Sequence, residues 1–122
     1  MRRKVELGAK GDVTLYDGRV HVRWHAGVNI DEEDALESMA AVDRLGGNHP
    51  IHLLVDISGI AGLSRAARSV FTRPGSANRI ALLGSSPVDR VFANFFLALN
   101  VQACPTRYFT SSEAAMAWLD AG

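Results

Sequence analysis

The sequence predicts an α/β domain on a mixed, mostly parallel sheet, with an N-terminal β-hairpin followed by alternating helices and strands. Three observations carry this. Residues 13–24 alternate apolar and polar about an Asp-Gly pair. Ile51–Ile57 and Arg79–Gly84 contain short, nearly unbroken aliphatic runs, the pattern of strands buried on both faces. Segments with apolar residues at helical spacing separate and follow them. Parallel neighbours need a crossover between them, so this order demands right-handed β–α–β units, with the hairpin strand at one side.

In chain order, Val5–Leu7 is a short candidate strand within an N-terminal extension, residues 1–11. Val13 and Leu15 then alternate with Thr14 and Tyr16, and Val20, Val22 and Trp24 resume the alternation. Between them Asp17-Gly18 suits a type I′ turn, which needs positive φ at both central positions. The opposite face of the hairpin carries Thr14, Tyr16, Arg19, His21, Arg23 and His25. Asn29 or Asp31 caps a helix over residues 31–45, with four acids in its first turn where the helix dipole favours them. Leu36, Met39 and Ala40 are its expected apolar face, and Gly46-Gly47 ends it.

Gly59 and Gly62 punctuate a tight loop after the first buried strand. Ser64 caps a helix reaching Thr72, closed by Pro74-Gly75. After the second buried strand, Ser86-Pro87-x-Asp89 places Ser at the cap, Pro at the first helical position and an acid at the third. The helix that follows carries Val88, Val91, Phe92, Phe95, Phe96 and Leu99, a wide apolar stripe expected to pack in the core. A short strand, Arg107–Phe109, leads into Thr110-x-x-Glu113, read as a capping box for a last helix anchored by Ala115, Trp118 and Leu119.

The bulk properties bound the function classes. At 122 residues the chain fits a single domain spanning 1–122, and 48% apolar with 21% charged residues argues against disorder. Thirteen basic residues balance thirteen acidic ones, so the basic excess of a nucleic-acid-binding module is missing. Cys104 is the only cysteine, which excludes an internal disulfide and a four-thiolate zinc site. Its approach through Leu99, Val101 and Ala103 suggests a buried structural thiol. Met1-Arg2-Arg3-Lys4 begins like a secretory leader, but polar, glycine-rich sequence follows, so no signal peptide is expected. No apolar run reaches membrane-spanning length, and the expectation is a cytoplasmic domain with no membrane insertion.

The element order resembles that of the STAS domains, named for sulfate transporters and anti-sigma-factor antagonists. The likeness spans residues 12–121 and rests on three places. Leu53-Leu54-Val55-Asp56-Ile57-Ser58-Gly59-Ile60 is similar to the family's central strand ending in Asp-Leu-Ser-Gly. Gly62-Leu63 precedes a helix, as in the family's Asp-Ser-Ser-Gly-Leu loop. Tyr108-Phe109 with Glu113-Ala114-Ala115-x-Ala117-Trp118-Leu119 is similar to the close of small bacterial STAS-like proteins. The resemblance implies a regulatory domain that docks a protein. In the antagonists the serine before Gly-Leu is phosphorylated as a switch. Here Ile60 and Ala61 stand at that point, so the switch does not carry over.

No catalytic or metal-binding constellation emerges, and no cofactor is implied. His21 and His25 share a strand face, but four residues of strand span roughly 13 Å, too far for one ion. His49 and His52 flank Pro50 with no obvious carboxylate partner. Asp56, at the end of a central strand, is the best lone candidate for chemistry. Its simpler role is to hydrogen-bond the Ser58–Gly62 turn.

Charge distribution is more informative. Arg65, Arg68, Arg73 and Arg79 lie in a segment with no acid between Ile57 and Val88, whereas residues 31–43 carry six acids and no base. The sequence therefore points to a non-enzymatic STAS-like regulatory or interaction domain. It would dock a protein partner or an anionic small molecule through Ser58, Gly59, Gly62, Ser64, Arg65 and Arg68. The alternative is a small-molecule or lipid-binding domain with an apolar pocket against the Phe92–Leu99 helix. An exposed hairpin edge strand would allow a homodimer.

Overall fold

The hairpin forms where the alternation places it. In a computed structural model, which describes residues 3–47, 49–99 and 104–122, β2 (Gly11–Tyr16) and β3 (Arg19–Trp24) pair antiparallel with Tyr16 opposite Arg19. Asp17 and Gly18 sit at φ 56° and 78°, the left-handed pair of a type I′ turn. β1 (Arg3–Glu6) adds antiparallel to β2 at the sheet edge, two residues earlier than the expected strand start, and Leu7 then turns into the core. Three charges in the four residues of this edge strand discourage pairing with another chain.

Beyond the hairpin, helices and strands alternate. A two-residue strand, β4 (Asn29–Ile30), precedes α1 (Glu32–Gly46). β5 (Ile51–Asp56) lies parallel to β3, and β6 (Gly62–Leu63) pairs parallel with β4. Then come α2 (Arg65–Phe71), β7 (Ala77–Leu83) parallel to β5, and α3 (Pro87–Leu99). β8 (Thr106–Phe109), parallel to β7, and α4 (Ser112–Asp120) close the fold. The large sheet has the order β1-β2-β3-β5-β7-β8.

The two-residue period of the strands divides the sheet into unlike faces. Val13, Val20, Val22, Trp24, Leu53, Leu82 and Tyr108 meet the helix layer α1–α2–α3 on one face. Leu54, Ala81, Leu83 and Phe109 meet Ala115 and Leu119 of α4 on the other. Three helices thus share one face, whereas α4 covers only the β5, β7 and β8 end of its own.

Two helix readings need correction. The buried face of α1 is Ala35, Ser38, Ala41, Val42 and Leu45, while Leu36 is 42% exposed, Ala40 is exposed and Met39 half-buried. Small side chains at 35, 38 and 41 let α1 approach its neighbours closely, and Ser38 satisfies its hydroxyl on the Ala35 carbonyl at 2.8 Å. The cap of α4 is Ser111, whose Oγ accepts the Ala114 N–H at 3.2 Å, so Thr110 lies outside the helix. The cap of α1 is Asp31, in a reciprocal capping box with Asp34 at 2.9 Å both ways.

The loops at the carboxyl ends of β5 and β7 are joined by Asp89, which is 1% exposed. Its Oδ1 accepts the Gly59 N–H at 2.9 Å, and its Oδ2 accepts the N–H groups of Ser85 at 2.8 Å and Ser86 at 3.1 Å. Ser86 Oγ accepts the Asp89 N–H at 3.1 Å and so caps α3. Burial pushes the Asp89 carboxyl pKa up, but the N–H donors of Ser85, Gly59 and Ser86 and the Ser86 hydroxyl outweigh it. The net effect is a pKa below the ordinary 3.8. Gly59 itself sits at φ 78°, where a Cβ would come within 3.0 Å of the Ala26 methyl.

Leu119→Ala, at a fully buried site, should cost about 2–5 kcal/mol in urea unfolding followed by circular dichroism. Leu36→Ala should stay within about 0.5 kcal/mol; equal losses would contradict the rotated α1 face. Asp89→Ala should cost about 2–3 kcal/mol, because three part-buried N–H donors lose the buried carboxylate that accepts from them. A depressed carboxyl pKa stabilises the fold above its unfolded value, and that stabilisation is lost as pH falls through the folded one. The stability gap between wild type and Asp89→Asn should therefore be flat above about pH 5 and shrink below about pH 4, read as urea midpoints.

Candidate functional site

The link from β5 to α2 is a frame of hydrogen bonds. Asp56 Oδ1 accepts the Ser58 N–H at 2.9 Å, the role expected of a turn aspartate. The Gly59 carbonyl accepts the Gly27 N–H at 2.7 Å, tying this loop to the one after β3. Gly62 sits in the β4–β6 pair, where a Cβ would collide with the Asn29 side-chain oxygen. Ser64 Oγ accepts the Ala67 N–H at 3.0 Å and caps α2. Ser58, Gly59, Gly62 and Ser64 therefore build the frame, and α2, seven residues long with its cap hydroxyl engaged, offers no ready anion cradle.

Arg65 and Arg68 lie on the surface that this frame supports. They are three residues apart on α2 and share a side of it. Arg65 is exposed, and the Arg68 guanidinium lies 4.7 Å from the centre of the Phe95 ring on α3. Neither forms an ion pair among the described residues.

The α3 stripe departs from expectation. Ala93 and Phe96 are buried, with Phe96 5.3 Å from the Phe71 ring, and Phe92 and Leu97 are half-buried. Val88, Val91 and Phe95 instead point outward at 59%, 53% and 38% exposure. The apolar arc of α3 is wider than α2 and the sheet can cover, because α3 lies at the end of the helix layer. A line of apolar residues at i, i+3 and i+7 thus stands exposed on α3 and meets Arg68 of α2 at Phe95. The side chain of Leu99 lies outside the described residues, as do Val101 and Ala103 near Cys104, Met1 and Arg2 of the basic N-terminus, and Asn100.

The four arginines that cluster in sequence do not cluster in space. Arg65 and Arg68 belong to the α2–α3 surface, and Arg73 stands in the exposed turn after α2. Arg79 is on the opposite sheet face, stacked 4.1 Å from the Trp118 ring. The acids of α1 are partly answered from the hairpin side. Lys10 Nζ lies 2.5 Å from Asp34, a hydrogen bond that raises the lysine pKa, and 3.8 Å from Asp31.

Other titratable groups are structural in setting. Burial raises the Cys104 thiol pKa against a lowering contact from Thr106, so the half-buried thiol is not primed as a nucleophile. Burial, then the Asp89 charge, raises the Tyr108 hydroxyl pKa, with Arg90 opposing. His25 Nδ1 is 3.1 Å from the Ala9 carbonyl oxygen. Among the described residues no three His, Cys, Asp or Glu side chains are grouped to hold a metal, and no helix is long and apolar enough to cross a membrane. On the part of the sheet that α4 leaves open, a polar hollow of about 430 Å³ is lined by residues including Asp12, His21, Arg23 and Asp56. The Asp12 carboxylate there lies 3.8 Å from Lys4 and 4.0 Å from Arg23. The polar side of the hairpin was legible in the sequence; the hollow was not, since it depends on where α4 stops.

Comparison with known proteins agrees with this architecture. A family model described as a domain of unknown function, DUF7793, matches residues 13–121. No curated protein matches the chain. An uncharacterised DUF3478-family protein with a SpoIIAA-like fold, from Shewanella loihica PV-4, is similar in structure at TM-score 0.62 and 16% identity. That match covers 98% of this chain and 95% of the other. A protein of unknown function from Arthrobacter sp. FB24 shares 49% identity over 90% of this chain and 99% of its own. Its TM-score is 0.37, so the likeness is one of sequence. The mixed sheet, the helix order and the Shewanella structure together give the chain a SpoIIAA-like, STAS-like fold, and the match over residues 13–121 makes it a member of the DUF7793 family.

Proposed function

We propose that the protein is a non-enzymatic, cytoplasmic interaction module whose α2–α3 surface docks an acidic, amphipathic segment of a protein partner. One observation carries the reading: Val88, Val91 and Phe95 form an exposed apolar line that meets α2 where the Arg68 guanidinium lies over Phe95. Arg65 lies one turn earlier on α2, and neither arginine has an acidic partner among the described residues. Phenylalanine and arginine are both enriched at protein interfaces relative to the rest of the surface. The line extends about 10 Å along α3, the reach of two helical turns, which suits a peptide or helix better than a compact anion. The hydrogen-bonded frame from Asp56 to Ser64 holds α2 in register for it. An anionic small molecule is less well served, because the α2 N-terminus is short and already capped by Ser64.

A lipid-sized apolar pocket against α3 is not favoured, since Ala93 is packed into the core and the cavity that Phe96 helps to line holds only about 100 Å³.

The reading is tested with partners captured from the native host by photo-crosslinking from position 91. Arg65→Glu with Arg68→Glu should abolish capture of the wild-type partner, and Val91→Asp should weaken it at least about thirtyfold, a loss of about 2 kcal/mol. Thermal unfolding should shift by only a few degrees, since these are surface changes. Unchanged capture of the same partner by the double variant would refute the assignment.

A further inference from the structure

A separate feature lies on the other side of the helix layer. Between α1, the end of α2 and the sheet there is a cavity of about 100 Å³. Trp24, Val42, Leu53, Phe71 and Phe96 supply apolar walls, and Met39 lines it from α1. Its polar lining gathers at Asp43, Arg73 and Ser76, and the first two are solvent-exposed, so that end is the mouth.

Cavity and mouth have different chemistry. Protein interiors rarely leave voids larger than a water molecule. Behind the mouth only Ser38, whose hydroxyl donates to the Ala35 carbonyl, adds a polar group to walls of Trp, Phe, Val and Leu, so water there finds few partners. At the mouth the Asp43 carboxylate accepts the Ser76 hydroxyl at 2.8 Å and is thereby engaged. Arg73 forms no ion pair among the described residues. Asp43 forms none either, so the mouth carries one charge of each sign, with the Asp43 carboxylate already accepting a hydroxyl and the Arg73 guanidinium keeping its donors uncommitted among the described residues.

From this geometry we infer that the cavity binds a small monocarboxylate, with its apolar body inside and its carboxylate on Arg73. Size sets the body. A cavity of about 150 Å³ is known to take benzene in another protein, so this one suits a chain of about four or five carbons. The head needs a planar fork of donors, which a guanidinium supplies. The inference is independent of the α2–α3 docking surface, because it uses none of Arg65, Arg68, Val88, Val91 or Phe95.

Trp24 lies in the cavity wall and reports on it directly, whereas Trp118 is on the opposite sheet face. The full-length protein is titrated with sodium pentanoate, decanoate and neutral pentanol, following tryptophan fluorescence. Pentanoate should give a saturable change below about 10 mM, and decanoate should bind at least about tenfold more weakly. Ser38→Leu, which extends a cavity-lining side chain into the void, should abolish the response. Arg73→Gln should weaken pentanoate at least about fivefold and leave pentanol unchanged. No saturable response, decanoate binding as tightly as pentanoate, or unchanged pentanoate affinity in Arg73→Gln would each overturn the inference. Should Ser38→Leu fail to fold, the exposed Arg73→Gln decides alone.

Discussion

A buried carboxylate holds the α2–α3 end of this fold together. Asp89 receives N–H groups from Gly59, Ser85 and Ser86 while its own N–H is capped by Ser86. An ionised group with almost no exposure is tolerated only when its lone pairs are answered, and here backbone donors do so without a counter-ion. The consequence is geometric. The first turn of α3 is fastened to the loop that leads into α2, and so the apolar line on α3 comes to meet α2 at Arg68.

The sheet beneath explains why that surface exists. Three helices must share one face, α1, α2 and α3 in that order, and the helix at the end of the row has a neighbour on one side only. Its arc of apolar residues exceeds what that single neighbour and the sheet can cover. On the other face α4 alone spans β5, β7 and β8, and the hairpin strands keep polar side chains outward. Arg19 crosses from β3 to Asp120 at the end of α4 at 2.6 Å, where the covered and open parts of this face meet.

The charge pattern shows how far linear reading reaches. Four arginines without an intervening acid look like one patch, yet the strand between them turns Arg79 through the sheet to Trp118. Only Arg65 and Arg68 remain together. The frame residues Ser58, Gly59, Gly62 and Ser64 were recognisable as turn and cap chemistry. What the sequence could not show is that Gly59 is held by an aspartate thirty residues away. The missing hydroxyls at Ile60 and Ala61 fit a loop whose N–H groups are answered by the Asp56 and Asp89 carboxylates and by backbone carbonyls.

Local physics determined the elements. Alternation about Asp17-Gly18, the caps at Asp31, Ser64 and Ser86, the glycine stop after α1 and the aliphatic runs of β5 and β7 each act within a few residues, and each element lies within a few residues of its expected place. The order of those elements was enough to require a mostly parallel sheet. Tertiary packing decided the rest. It chose Ala35, Ser38 and Val42 over Leu36 for the inside of α1, turned Val88, Val91 and Phe95 outward, and left a void walled by Trp24 and Phe71. These are outcomes of how many neighbours a helix finds and how closely side chains from distant segments fill the space between them. Burial is shared among elements that meet only after folding, so no window of sequence contains it.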